Sequence, residues 1–140
     1  MSPAYDPANI FAKILRGELP CVRVWEDAHS LAFMDIMPRA DGHTLVIPKA
    51  PARNLLDVPP AALQALMPAV QRVARAVKAG MAAEGISLQQ FNEAAGGQVV
   101  FHLHFHVLPR WEGVALRPPG AAMAPAAALE PFAARIRAHL

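Results

Sequence analysis

The chain is poor in cysteine: Cys21 is the only one in 140 residues. That excludes an intrachain disulfide, and a single thiol makes a poor metal site. Neither sign of charge dominates, since 13 Lys and Arg stand against 11 Asp and Glu, a formal net charge of +2. So small a surplus excludes a non-specific nucleic-acid binder, and any anionic ligand must be held locally. No apolar run reaches the roughly 18 residues that a membrane-spanning helix needs. Residues 1–6, Met-Ser-Pro-Ala-Tyr-Asp, lack the basic and apolar regions of a secretory signal. These absences point to a cytoplasmic protein with no membrane partner. Hydrophobic residues are abundant at 54%, which excludes intrinsic disorder, and the length suits one domain able to bury a core.

Periodicity divides the chain into elements. Asp6-Pro7 opens a short helix with Ile10, Phe11, Ile14 and Leu15 as its stripe and Gly17 as its stop. From Val22 the period changes to two: Val22 and Val24, then Leu31 and Phe33, read as a hairpin, and residues 43–48 as a strand ended by Pro48. A long helix is expected from about Pro60 to Glu84. Leu63, Leu66, Met67, Val70, Val73, Val77 and Met81 form one face, and Pro68 should kink or split it. Strands are expected over residues 86–92 and 99–108, the second stopped by Pro109. An irregular stretch over 113–125 and a final helix over 126–140 follow. This order favours an α+β fold on an antiparallel sheet.

The chemistry concentrates at residues 101–108, Phe-His-Leu-His-Phe-His-Val-Leu. In a strand, alternate side chains share a face, so His102, His104 and His106 point one way and Leu103, Phe105 and Val107 point into the core. Three readings follow. The plainest is a polar strand face that uses histidine. A metal site is the second, but the Cα atoms of His102 and His106 would lie roughly 13 Å apart, too far for one tetrahedral ion to take all three. The third is covalent catalysis: neutral imidazole is a nucleophile near pH 7, and the central His104 could attack phosphorus. Gly96-Gly97 would supply backbone N–H groups to an anion.

These residues resemble the signature of the histidine triad (HIT) family of nucleotide-binding hydrolases and transferases, His-x-His-x-His followed by two apolar residues. Residues 35–38, Asp-Ile-Met-Pro, and 42–49, Gly-His-Thr-Leu-Val-Ile-Pro-Lys, are similar to its second block, and residues 10–14, Ile-Phe-Ala-Lys-Ile, to its first helix. The resemblance implies a HIT fold: about five antiparallel strands, a long helix and a short N-terminal helix. It implies one domain over residues 1–140, with a core at 6–111 and a C-terminal extension at 112–140, and a homodimer.

The resemblance further implies that His104 is the nucleophile of a nucleotidyl-histidine intermediate, supported by His102 and His43, while His106 contacts phosphate. Asp35 would accept the ribose hydroxyls of a purine nucleotide. Ile10, Phe11, Ile14, Phe33 and Ile36 would wall the base pocket, and Asn92, Gly97 and Gln98 would bind phosphate or the leaving group. The implied activity is hydrolysis of nucleoside 5′-monophosphate derivatives such as adenosine 5′-phosphoramidate. A dinucleoside polyphosphate hydrolase and a non-catalytic nucleotide-binding regulator are the alternatives. No cofactor is implied. No metal is expected either, because residues 9–12, Asn-Ile-Phe-Ala, lack the cysteines with which some bacterial relatives hold zinc. Val99 stands where the phosphoramidase-type subgroup often has a hydroxyl.

Overall fold

The computed structural model describes residues 3–120 and 122–140. Ala121, inside the expected irregular stretch, and residues 1–2 of the N-terminal motif lie outside the described residues. The elements are α1 (Ile10–Leu15), β1 (Arg23–Glu26), β2 (Ser30–Met34), β3 (Thr44–Pro48), α2 (Pro60–Gly80), β4 (Gly85–Gln89), a 3-10 turn (Ala94–Gly96), β5 (Phe105–Arg110) and α3 (Ala126–Arg137). The five strands form one antiparallel sheet in the order β1-β2-β3-β5-β4. The α+β class, the five strands and both expected N-terminal and long helices are all present.

The sheet is covered on both faces, which is why β2 and β3 are buried at every position. On one face Val24, Ala32, Met34, Val46, Phe105 and Val107 pack against Leu66, Val70, Val73 and Val77 of α2 and Leu129, Ala133 and Ile136 of α3. On the other, Leu31, Phe33, Leu45 and Ile47 pack against Phe11 of α1. His106 pairs with Leu45 and with Gln89 across the ladders, so it belongs to the α1 face.

Several boundaries differ from the sequence expectation. Asn9, not Asp6, caps α1 by accepting from the Ala12 N–H at 2.9 Å, while Asp6 closes the turn before it by accepting from Ala8. Helix α2 runs unbroken through Pro68 and stops at Gly80, four residues early, where Ala82 takes a positive φ of 49°. Proline removes one backbone donor there without splitting the helix. Met67 faces outward at 36% exposure rather than joining the apolar face. Strand β4 ends at Gln89, and residues 90–92 bond among their own side chains instead.

The histidine segment departs furthest. Strand β5 begins at Phe105, not Val99, because Leu103 donates its N–H to Ala52 outside the sheet. It also continues through Pro109 to Arg110: the β3 ladder has already ended at Val107, so no partner on that side needs the missing N–H.

Helix α3 docks on α2 through a close approach at Gly80. A Cβ there would sit 2.7 Å from the Arg135 carbonyl oxygen and 2.9 Å from the Ile136 Cα. Gly80→Ala should therefore destabilise the fold. The clash, typically about 1–3 kcal/mol, exceeds the ~1 kcal/mol gained in helix propensity. A melting temperature lowered by a few degrees is expected; an unchanged or raised one would show that the contact does not constrain α3.

Candidate active site

Hydrogen bonds to carbonyl oxygens fix the tautomers of two triad histidines, because a carbonyl can only accept. His102, fully buried, donates from Nε2 to the Pro48 carbonyl (2.8 Å), leaving Nδ1 to accept from the Tyr5 hydroxyl (2.7 Å). His104 donates from Nδ1 to the His102 carbonyl (2.7 Å). Its Nε2 therefore carries a bare lone pair. The His104 ring sits edge-on between Phe11, 5.0 Å away at 89°, and His106, 4.9 Å away at 64°.

His43 settles the third tautomer. The Arg39 backbone N–H donates to His43 Nδ1 at 3.0 Å, so the His43 proton is on Nε2 and points to His106 Nδ1, also at 3.0 Å. His106 then bears its own proton on Nε2, free to donate. Asp35 lies beside this pair: Oδ1 accepts the Met37 N–H at 2.8 Å and Oδ2 is 3.3 Å from His43 Nε2. Phe91 packs against the His106 ring at 5.6 Å.

Burial holds the imidazoles neutral. It pulls His43 down to about 3 and His106 and His102 to about 4, aided by neighbouring imidazoles, with the Pro48 carbonyl opposing the shift at His102. His104 is lowered for the same reason, the His102 carbonyl opposing. Burial raises Asp35 to about 6, against the Met37 N–H, so at pH 7 it is mostly ionised. Among the described residues, Asp35, His43 and His106 are also the one set whose oxygen and nitrogens lie close enough, within 4.8 Å, to share an ion. The tautomers do not fit that use. His43 Nε2 holds a proton as long as Nδ1 accepts from Arg39, so a metal would have to break that bond first.

The base-wall candidates divide. Phe11 and Phe33 are buried and meet edge-to-face at 5.3 Å, while Ile10 and Ile36 are exposed at 45% and 46%. Ile14 packs partly buried against the same cluster.

The phosphate-side candidates are largely engaged elsewhere. The N–H groups of Gly96 and Gly97 bond to the carbonyls of Glu93 and Ala94, so the expected glycine nest has no free donors. Gly97 serves the turn instead, at φ +98° against the Phe91 ring. All four hydrogen-bonding positions of the Gln98 amide are filled: Oε1 accepts from Glu93 N–H and Asn54, and Nε2 donates to the Arg53 and Val100 carbonyls. The side chain thereby braces the segments around residues 53 and 93–100. Asn92 accepts from the Leu55 N–H and exchanges bonds with Gln90, keeping one amide hydrogen. Val99 is 83% exposed.

Tyr5, Arg39, Asn54 and Phe91 escaped the sequence reading. No spacing marks them, since each reaches the site from a separate segment.

The α+β domain thus sets a bare imidazole nitrogen between an aromatic cluster and neighbouring neutral histidines. The model of the HIT domain matches residues 16–113, and the chain belongs to the HIT family. Membership places it among HIT-type nucleotide hydrolases and transferases. It is similar to the solved HIT-like protein involved in cell-cycle regulation from Bartonella henselae: 54% identity, TM-score 0.92, covering 98% of this chain and 100% of that one. It is 39% identical over 105 residues to adenosine 5′-monophosphoramidase HNT1 of Saccharomyces cerevisiae, 75% of this chain and 64% of that protein. It is 38% identical over 103 residues to adenylylsulfatase HINT3 of Arabidopsis thaliana, 74% of this chain and about half (52%) of that protein.

Proposed function

We propose that the protein hydrolyses nucleoside 5′-monophosphate derivatives through a nucleotidyl-histidine intermediate on His104. The observation that carries this reading is the Nδ1–H bond of His104 to the His102 carbonyl, which leaves Nε2 unprotonated with its lone pair available. In the first step Nε2 attacks phosphorus; the N–P bond forms and the bond to the leaving group breaks with its electron pair. An amine leaving group takes up a proton as it departs, and the Nε2–H of His106 is the donor at hand. In the second step water attacks phosphorus and gives a proton back to His106, the N–P bond breaks back to neutral imidazole, and the nucleoside monophosphate is released.

In this reading the nucleotide is a purine nucleotide. Its base lies along Ile10, Phe11, Ile14, Phe33 and Ile36, its ribose at Asp35, and Asn92 offers its remaining amide hydrogen to the phosphate. No metal or cofactor takes part. Residues 1–140 act as one domain of a cytoplasmic homodimer, and the open edge of β4, with Leu88 46% exposed, suits pairing with a second copy.

The relatives' names favour the hydrolase, since two of them are called an adenosine 5′-monophosphoramidase and an adenylylsulfatase. A regulator that only binds would not need a nucleophile. The deciding experiment offers adenosine 5′-phosphoramidate and diadenosine tetraphosphate to the purified protein, each with and without a chelator. Chelator-resistant release of AMP from the phosphoramidate is expected. Turnover of the dinucleotide alone would favour the polyphosphate hydrolase, and no turnover of either would leave the regulator.

The neutral imidazoles set the acid limb of the pH profile. Protonation of Asp35 near pH 6 removes the ribose acceptor, and protonation of His106 near pH 4 removes the Nδ1 lone pair that holds the His43 Nε2–H and so breaks the relay. kcat/KM should thus be flat from pH 7 to 8, decline below about 6 and fall steeply below about 4. A limb centred at the ordinary histidine value of about 6.5 that persists in Asp35→Asn would show that the histidines titrate normally.

A further inference from the structure

Arg39 lies in the loop between β2 and β3 and is fixed at both backbone and side chain. Its N–H holds His43 Nδ1. Its carbonyl accepts the Arg117 N–H at 2.8 Å, and its Nε donates to the Arg117 carbonyl at 2.9 Å, so the C-terminal extension grips it twice. Arg117 is anchored in turn by its ion pair with Asp41. The guanidinium reaches across to Gln89 Oε1, 3.5 Å from Nη1.

That reach places the charge. Asp35 follows the end of β2, His43 precedes β3, His106 is in β5 and Gln89 ends β4. The sheet order β2-β3-β5-β4 therefore sets Asp35 and the arginine head at opposite ends of a row with the histidines between. Three strand spacings of ~4.8 Å make the row about 14 Å long. Phe11 and Phe33 stand at the β2 end. With the base and ribose there and the phosphoryl group at His104 and His106, the far end is left for the departing group.

Among the described residues the charge at that end meets no carboxylate. Arg16, Arg23, Arg53, Arg117 and Arg137 each pair with a carboxylate. Among the described residues none pairs with Arg39, although it is half-buried. Its field adds to burial and imidazole neighbours in keeping His43 and His106 uncharged. With those rings neutral, Arg39 is the permanent positive charge acting on them.

We propose that Arg39 is a specificity-determining residue that selects nucleotidyl conjugates whose leaving group is itself an anion, a sulfate, phosphate or carboxylate-bearing group. This rests on the reading of His104 as nucleophile. The chemistry agrees with the charge: such a group departs with the bonding pair and needs no proton, only a cation to receive the developing charge. A neutral amine gains nothing from Arg39.

The test compares kcat/KM for adenosine 5′-phosphosulfate and adenosine 5′-phosphoramidate in the parent, Arg39→Gln and Arg39→Lys. The amide of glutamine can keep a bond to the Arg117 carbonyl without the charge. The sulfate-to-amide ratio should fall about tenfold or more in Arg39→Gln, and Arg39→Lys should restore a large part of it. A general disturbance of the loop would lower both rates and leave the ratio where it was, which would overturn the proposal. If the parent turned over neither compound, the hydrolase reading would fail. Equilibrium binding of adenosine 5′-phosphosulfate and AMP to the same proteins then decides: loss of a preference for the phosphosulfate in Arg39→Gln supports the role, and equal binding to parent and variant overturns it.

Discussion

His104→Ala should lose at least about three orders of magnitude in kcat while remaining folded and still binding AMP. The size follows from what the side chain supplies. Its Nε2 is the one nitrogen of the triad proper with neither a proton nor a partner, since His102 is bonded at both nitrogens and His106 directs a proton outward. No neighbour can substitute. The substitution deletes a ring buried to 8% exposure beside Phe11, but no backbone bond runs through it other than its own link to the His102 carbonyl. Turnover in single-enzyme kinetics and AMP affinity by calorimetry separate the two roles. A variant that retained near-normal turnover would remove the covalent mechanism.

Asp35→Ala should lower kcat/KM on a ribonucleotide substrate by roughly 100-fold, from two charge-assisted hydrogen bonds of about 1.5–3 kcal/mol each, partly replaced by water. Asp35 has local duties too, holding the Met37 N–H and flanking His43, so the loss alone does not identify its partner. Sugar discrimination does. The parent should prefer ribo over 2′-deoxy substrate by about tenfold or more, and the variant should lose most of that preference, because a purely structural role would slow both sugars alike. A parent without preference, or a variant that keeps it, would show that the ribose lies elsewhere.

The elements that could be read in the sequence were those whose apolar period had one buried face. Helix α2 shows itself in Leu66, Val70, Val73 and Val77, and α3 in Leu129, Ala133 and Ile136. The histidine segment misled about structure because its alternation persists outside the sheet: Leu103 is buried as firmly as Val107 although only Val107 belongs to a strand. There both faces are covered, so His102 and His104 are buried along with Leu103 between them. The site's residue types were legible in the His-x-His-x-His run, whereas its tautomers were not. Those depend on the carbonyls of Pro48 and His102, on the Arg39 N–H and on the Tyr5 hydroxyl. Main-chain partners leave no mark in side-chain patterns. The glycine pair was misread for a related reason: Gly96-Gly97 looks like a free anion nest until Glu93 and Ala94 take its N–H groups.

The amide of Gln98 has a consequence for how the protein breathes. It ties Arg53, Glu93, Asn54 and Val100 into one knot, and Arg53 closes it again by a bidentate pair with Glu93 while stacking on Phe101 at 4.1 Å. No strand of that knot can be released alone without stranding a polar group that is buried to 4% exposure. The segments around residues 53 and 93–100 therefore open to solvent as a single cooperative unit, with their amides exchanging together. Because His102 follows directly on that unit, the wall beside the triad stays shut through the small fluctuations that let surface turns fray, and only a concerted opening of both segments exposes it.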